Sequence, residues 1–369
     1  MDTIHYYIGF SLVNGIGPTR LDSLIEQCGS VEAAWHATPK QMQQAGLDVR
    51  VSKVFMEAQR TLNLEAEYQK VERAGLKVVL RGTPEYPALL AQIPYPPPLL
   101  YVNGQLSAVD EWSVAVVGTR QPTTYGKEAT RRIVHDLAAA GVTIVSGLAL
   151  GIDSIAHKAA LEAGGRTIAV LATGADQVYP ERNRALAERI MAGHGALVSE
   201  FPIGTKPLAQ LFPVRNRIIS GLALATLVIE AGRQSGALIT VDYALEQGRD
   251  VFAVPGPIFS AQSVGTNQLI RNGAGLVTCA QDILNALNLS ELAIQQEVQA
   301  AIPEDPTEAS LLNVISYEPQ HVDEILRQSE LPITVVSSTL AIMELKGLVR
   351  QAAPMQYVLA RETKEEYQP

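Results

Sequence analysis

The chain has 369 residues, 47% of them hydrophobic and 18% charged, with a formal net charge of −9. That length allows two or three domains, one with a large core. The acidic balance excludes a surface coated in positive charge but leaves room for a local basic patch. The two cysteines, Cys28 and Cys279, are too far apart in sequence for a metal-binding spacing or a disulfide framework, which points to a reducing cytoplasm. No basic stretch followed by an apolar one opens the chain. The longest apolar run, around Ile218 to Ile229, is too short for a bilayer and is interrupted by Gly221.

Residues 1–70 carry apolar residues at spacings of three and four and are expected to form a helical domain. Within it, Val13-Asn-Gly-Ile-Gly-Pro-Thr-Arg20 resembles a helix-hairpin-helix turn. Such a turn can point backbone N–H groups at a phosphate, or simply close a small bundle. Residues 75–112 are proline-rich and hold two strand-like runs, 77–80 and 99–102, expected as extra edge strands.

From 113 to 288 strands and helices alternate. The expected strands are 114–117, 143–146, 167–171, 196–199, 226–229 and 250–254, continuous apolar runs as in a parallel sheet covered on both faces. The fold class expected is α/β: an extended Rossmann-like, doubly wound parallel sheet spanning 75–288. A polar linker is expected over 289–308, then a winged helix over 309–369 ending in a charged tail. The helix expected to read DNA there, 334–346, carries one lysine and one glutamate, a poor set for base recognition.

In a doubly wound sheet, ligands bind beyond the carboxyl ends of the strands. Gly118-Thr119-Arg120 follows the first parallel strand and Gly147 the second. After the fourth come Lys206, Phe212 and the cluster Arg215-Asn216-Arg217. After the fifth come Glu230, Arg233, Ser235 and Gly236. Glycines admit a ligand close to the backbone, and the cations Arg120, Lys206, Arg215, Arg217 and Arg233 suit phosphates. Each glycine is equally what a tight turn requires. Phe212 reads either as core or as a ring that stacks on a base. Asp153 reads as a helix N-cap, Glu200 and Glu230 as groups that orient arginines, and His135 and His157 as solvated or packed.

No G-x-G-x-x-G follows the first strand, and no G-x-x-x-x-G-K-[ST] occurs. No nucleophile, base or metal-ligand set stands out, so neither catalysis nor a cofactor is expected.

Several segments together resemble the bacterial DNA-processing protein family DprA, also called Smf. They are Gly118-Thr-Arg with Tyr125-Gly126, Ser146-Gly-Leu-Ala-Leu-Gly-Ile-Asp153, Tyr179-Pro-Glu-Arg-Asn183 and Ser199-Glu-Phe-Pro202. Phe212-Pro-Val-Arg-Asn-Arg-Ile-Ile219, Ser235-Gly-Ala-Leu-Ile-Thr240, Val254-Pro-Gly256 and the stretch 265–274 complete the set. The resemblance implies a non-enzymatic protein that binds and protects single-stranded DNA, helps load the RecA recombinase in natural transformation, and dimerises through its Rossmann-like domain. It implies DNA contacts at Arg120, Lys206 and Phe212, joined by Arg215, Asn216, Ser235 and Gly236. Two other readings compete. One is an enzyme cleaving nucleoside monophosphates, but Pro255-Gly-Pro-Ile-Phe departs from that P-G-G-x-G-T-x-x-E signature. The other is a ligand-sensing transcription regulator, which the weak recognition helix disfavours.

Overall fold

The computed structural model describes residues 2–289 without a break, then 307, 310–311, 314–316, 319–329, 331–345, 349–353 and 355–359. Apart from Leu289 and Thr307, the linker expected over 289–308 lies outside the described residues, as does the tail expected over 361–369. The chain divides into two compact units, Met1–Ser290 and Glu291–Pro369. No helix among the described residues is long and apolar enough to cross a membrane.

Six helices open the first unit: α1 (Thr3–Ser11), α2 (Pro18–Cys28), α3 (Val31–Trp35), α4 (Pro39–Gln44), α5 (Val49–Thr61) and α6 (Leu64–Arg73). Five start at an Asp, Ser, Thr or Asn whose side chain accepts a first-turn N–H: Asp2, Ser30, Thr38, Asp48 and Asn63. Their apolar faces meet at Phe10, Trp35 and Phe55, with ring centroids 5.2 to 5.5 Å apart. In the hairpin between α1 and α2, Arg20 donates to the Gly15 carbonyl at 2.7 Å and pairs with Asp48 at 3.1 Å. Its guanidinium is thereby committed to closing the turn. Ile8, Val71, Leu76, Leu99 and Tyr101 form a further cluster that joins α1 and α6 to the sheet. A shared core thus bridges the division expected near residue 70.

The sheet is built from β1 (Lys77–Leu80), β2 (Leu99–Gly104), β3 (Ser113–Val117), β4 (Thr143–Ser146), β5 (Thr167–Val170), β6 (Gly195–Ser199), β7 (Ala225–Val228), β8 (Asp250–Ala253) and β9 (Gly275–Leu276). Its order is β1-β2-β6-β5-β4-β3-β7-β8-β9. Strands β3 to β9 run parallel, while β2 joins β6, and β1 joins β2, antiparallel. The proline-rich stretch therefore does supply two extra strands at one side of the sheet, with β1 the edge and β2 paired on both sides. The helices after β1 are α7 (Ala88–Ala91), α8 (Thr124–Ala139), α9 (Ile152–Glu162), α10 (Arg184–Met191), α11 (Leu211–Gly221), α12 (Ala237–Glu246), α13 (Val264–Arg271) and α14 (Ala280–Ala286). Along β5, Ile168 and Val170 face α11 and α12, and Ala169 faces α10, the two-residue period of a strand covered on both sides. The winding reverses at β3, which lies between β4 and β7, and a crevice is expected at the carboxyl ends there.

The second unit is a winged helix. It holds β10 (Gln320–His321), α15 (Val322–Ser329), α16 (Ile333–Leu345), β11 (Val349–Ala353) and β12 (Gln356–Leu359), with β12 central in its antiparallel sheet. Leu311, Ile325, Val336, Leu340 and Val349 form its core.

Candidate nucleic-acid interface

At the switch point, the loops after β3 and β7 and the first turns of α11 enclose a cavity of about 700 Å³. Gly118, Thr119, Arg120, Tyr179, Phe212, Arg215, Asn216, Ser235 and Gly236 line it. The β3 loop is fixed from both sides. Thr119 donates its N–H to the Glu230 carbonyl at 2.8 Å and accepts from Ile152 at 3.2 Å. A Cβ on Gly118 would press on Ile152 and come within 3.0 Å of the Glu230 carbonyl, so glycine is needed for this approach. The Glu230 side chain is buried and accepts from the backbone and hydroxyl of Thr123, at 2.9 and 2.5 Å. It ties two cavity walls together, and the expectation that it orients an arginine is corrected.

The Arg-Asn-Arg cluster lies inside helix α11, with Pro213 tolerated in the first turn. Consecutive helical residues point about 100° apart, so the three side chains cannot converge on one ligand. Arg215 turns inward and is buried. Its Nη1 donates to the Gly147 carbonyl at 2.9 Å and to the Val170 carbonyl. A Cβ on Gly147 would lie 2.7 Å from Arg215 and 2.9 Å from Asp153, which is why that position has no side chain. Asp153 stands second in α9, where Gly151 is the cap. It accepts instead from the N–H groups of Gly147 and Ala149, at 3.2 and 3.3 Å, so the N-cap expectation is also corrected. Burial pushes the Asp153 carboxyl up, while the Arg215 charge draws it back down. Burial pushes the Arg215 guanidinium down to about 10, leaving it charged at neutral pH.

Asn216 faces the cavity, its Nδ2 3.5 Å from the Gly236 carbonyl. Arg217 points away from it and pairs with the largely buried Glu200, as the arginine-orienting reading of Glu200 expects. Burial pushes the Glu200 carboxyl up, opposed by that arginine. The Ser235 hydroxyl accepts the Ala237 N–H at 3.3 Å at the start of α12. Gly236 has open space around it.

Phe212 is neither core nor a free ring. The exposed Arg120 guanidinium lies 5.5 Å from its centroid and the buried Arg215 guanidinium 5.9 Å. The half-exposed Tyr179 meets it at 5.9 Å and 62°. Lys206 is exposed on a loop whose Pro207 and Ala209 line the cavity. Sequence reasoning passed over Tyr179 as a site residue. The available signal was an aromatic beside charged residues, just beyond the carboxyl end of β5. His157 is fully buried 2.7 Å from the Thr167 hydroxyl, and burial pushes it down to about 3, so it is neutral. His135 is exposed.

A doubly wound sheet whose switch point holds an open arginine, two aromatic rings and glycine-lined walls has the side chains that suit a phosphate and a base. Residues 77–288 match the family model of DNA recombination-mediator protein A, and residues 295–353 that of the DprA winged helix domain. The chain belongs to the DNA recombination-mediator protein A (DprA) family. It is 36% identical to the protein Smf of Synechocystis over 95% of this chain and 98% of that one. With the Escherichia coli protein Smf it shares 39% identity over 92% of each. Among solved structures, DprA of Streptococcus pneumoniae superposes with a TM-score of 0.67 at 36% identity, covering 77% of this chain and 97% of that one. The Helicobacter pylori DprA structure, which concerns single-stranded DNA binding, gives 0.52 at 30% identity, covering 58% and 97%.

Proposed function

We propose that this protein binds single-stranded DNA without regard to sequence, protects incoming strands and helps load RecA onto them in natural transformation and recombination. It acts in the cytoplasm as a homodimer joined through the sheet domain, and it is not an enzyme. The observation that carries this reading is the cavity: Arg120 presents an exposed charge for a phosphate over the ring of Phe212, with Tyr179 beside it. Charge plus stacking grips a strand while ignoring base identity, since every base has a π-face. The subject of the Helicobacter pylori structure supports the same ligand. Against catalysis, the carboxylates nearest the cavity, Asp153 and Glu230, are buried and committed to backbone N–H groups. In the winged helix, the exposed residues described on α16 include Thr334, Ser337, Ser338, Ala341 and Ile342, with Glu344 the charged one. That surface suits a protein partner better than a base edge.

The test is binding of a fluorescent oligonucleotide, single-stranded against duplex, across a salt series, with wild type and Arg120→Ala. A preference for the single strand that weakens steeply with salt and is lost in the variant is expected. Equal binding to both forms, or an unaffected variant, would overturn the reading.

A further inference from the structure

The loop after β8 leaves the same carboxyl edge as the cavity. Residues 257–260 form a β-turn closed by the Ser260 N–H on the Pro257 carbonyl at 2.9 Å. Its two central residues are Ile258 and Phe259, 79% and 96% exposed. Turn tips ordinarily carry Gly, Asn, Asp or Ser, which suit the backbone and the solvent. An isoleucine and a phenylalanine there gain nothing for the fold.

This tip stands on a fixed base. The Asn267 side chain brackets Gly256, donating to its carbonyl at 3.0 Å and accepting its N–H at 3.1 Å. The base is also tied to both loops that wall the cavity. Tyr125, just beyond the Arg120 turn, donates its hydroxyl to the Pro255 carbonyl at 2.7 Å. Gly265 donates to the Ala231 carbonyl at 2.8 Å, and a Cβ on Gly232 would touch the Ala261 carbonyl at 3.4 Å. Exposed Arg233 sits between Gly232 and the cavity residue Ser235.

We propose that the Ile258-Phe259 turn is a second nucleic-acid contact, a stacking platform for bases of the strand that leaves the cavity past Arg233. The inference rests on the single-strand reading of the cavity. Two side chains are too small a patch for a stable protein interface, which needs 20–30 residues a side. They are the right size for one or two unpaired bases, and exposed Arg233, on the loop held against Ala261, offers a charge for a phosphate of the same strand. A stacking platform is also tolerant of sequence, since every base has a π-face.

The test compares oligothymidines of about 4 and about 16 nucleotides, the range one binding fold covers, on the full-length protein. In wild type the longer strand binds more tightly. In Phe259→Ala the ratio of the two affinities falls about ten-fold, within the range of a lost stack, and Phe259→Trp restores it. The added tryptophan's emission is quenched by the long strand and not by the short one. An unchanged ratio in Phe259→Ala, with Arg120→Ala still weakening binding of both strands about ten-fold, would overturn this inference and leave the cavity reading intact. Unchanged binding of both strands in Arg120→Ala would instead sink the cavity reading. A change of oligomeric state in Phe259→Ala, read by analytical ultracentrifugation, would assign the tip to a second copy of the chain and overturn the platform.

Discussion

The sheet's carboxyl edge has two layers of polar residues with opposite jobs. The inner layer (Asp153, His157, Arg215, Glu230 and the Glu200–Arg217 pair) is buried or nearly so, and each member is bonded to neighbouring protein groups. The outer layer (Arg120, Tyr179, Lys206, Phe212, Asn216) meets solvent or the cavity. Arg215 and Arg120 flank the same phenylalanine from the two layers. A cation's presence at a ligand edge therefore says little until its burial and its partners are known.

That contrast can be broken by substitution. Arg215→Ala strands Asp153 and two backbone carbonyls in the interior and should cost about 3–5 kcal/mol of stability, measured by urea denaturation. A loss close to zero would place Arg215 in the outer layer. His157 provides a pH signature. Its folded pKa, about 3, lies far below its unfolded one, so the unfolded chain takes up the proton first and stability falls as pH drops from about 6.5 toward 3. The limiting slope is about 1.4 kcal/mol per pH unit. Asp153 and Glu200, pushed up by burial, act in the opposite sense, gaining stability as pH falls through their folded values. The His157 contribution is therefore read as the difference from His157→Asn, whose slope should be flatter.

The outer layer should answer in binding rather than in folding. Arg120→Ala should keep stability within about 0.5 kcal/mol of wild type. Its affinity for single-stranded DNA should fall about ten-fold and its salt slope by about 0.7, one phosphate contact. Lys206→Ala should show the smallest effect, about 0.2–1 kcal/mol of binding, as a screened surface contact does. If Lys206→Ala exceeds Arg120→Ala, the anchor of the strand has been misplaced.

The parallel strands were legible because each is a continuous apolar run between glycine-rich turns. Strand β9 was not, since Gly275 and Leu276 carry no period to detect. The candidate edge was legible as a set of residue types but not as a set of directions. Arg215, Asn216 and Arg217 looked like one basic cluster, and the helix that holds them buries Arg215, leaves Asn216 beside it on the cavity and sends Arg217 away to Glu200. Glu230 and Asp153 were misassigned for a related reason. Thr123, the donor to Glu230, is 107 residues away and is brought close only by the folded sheet. Asp153 instead folds back onto the N–H groups of Gly147 and Ala149 in the loop just before it, a turn that spacing alone does not distinguish from an N-cap. Tyr179 was missed because its meeting with Phe212 is likewise made by the fold.

The hydrogen bond between His157 and Thr167 also fixes a proton. The Thr167 hydroxyl has one hydrogen, and it is given to the Ile144 carbonyl at 2.7 Å. Nδ1 of the imidazole must then be the donor across the 2.7 Å contact, so the ring is the Nδ1–H tautomer. Free imidazole side chains favour the other form. Nε2 is left as a lone pair, buried and without a hydrogen-bond partner among the described residues. Nitrogen-15 resonances of this one ring would report the tautomer directly, and their collapse to solvent-averaged values would mark the moment the inner layer opens.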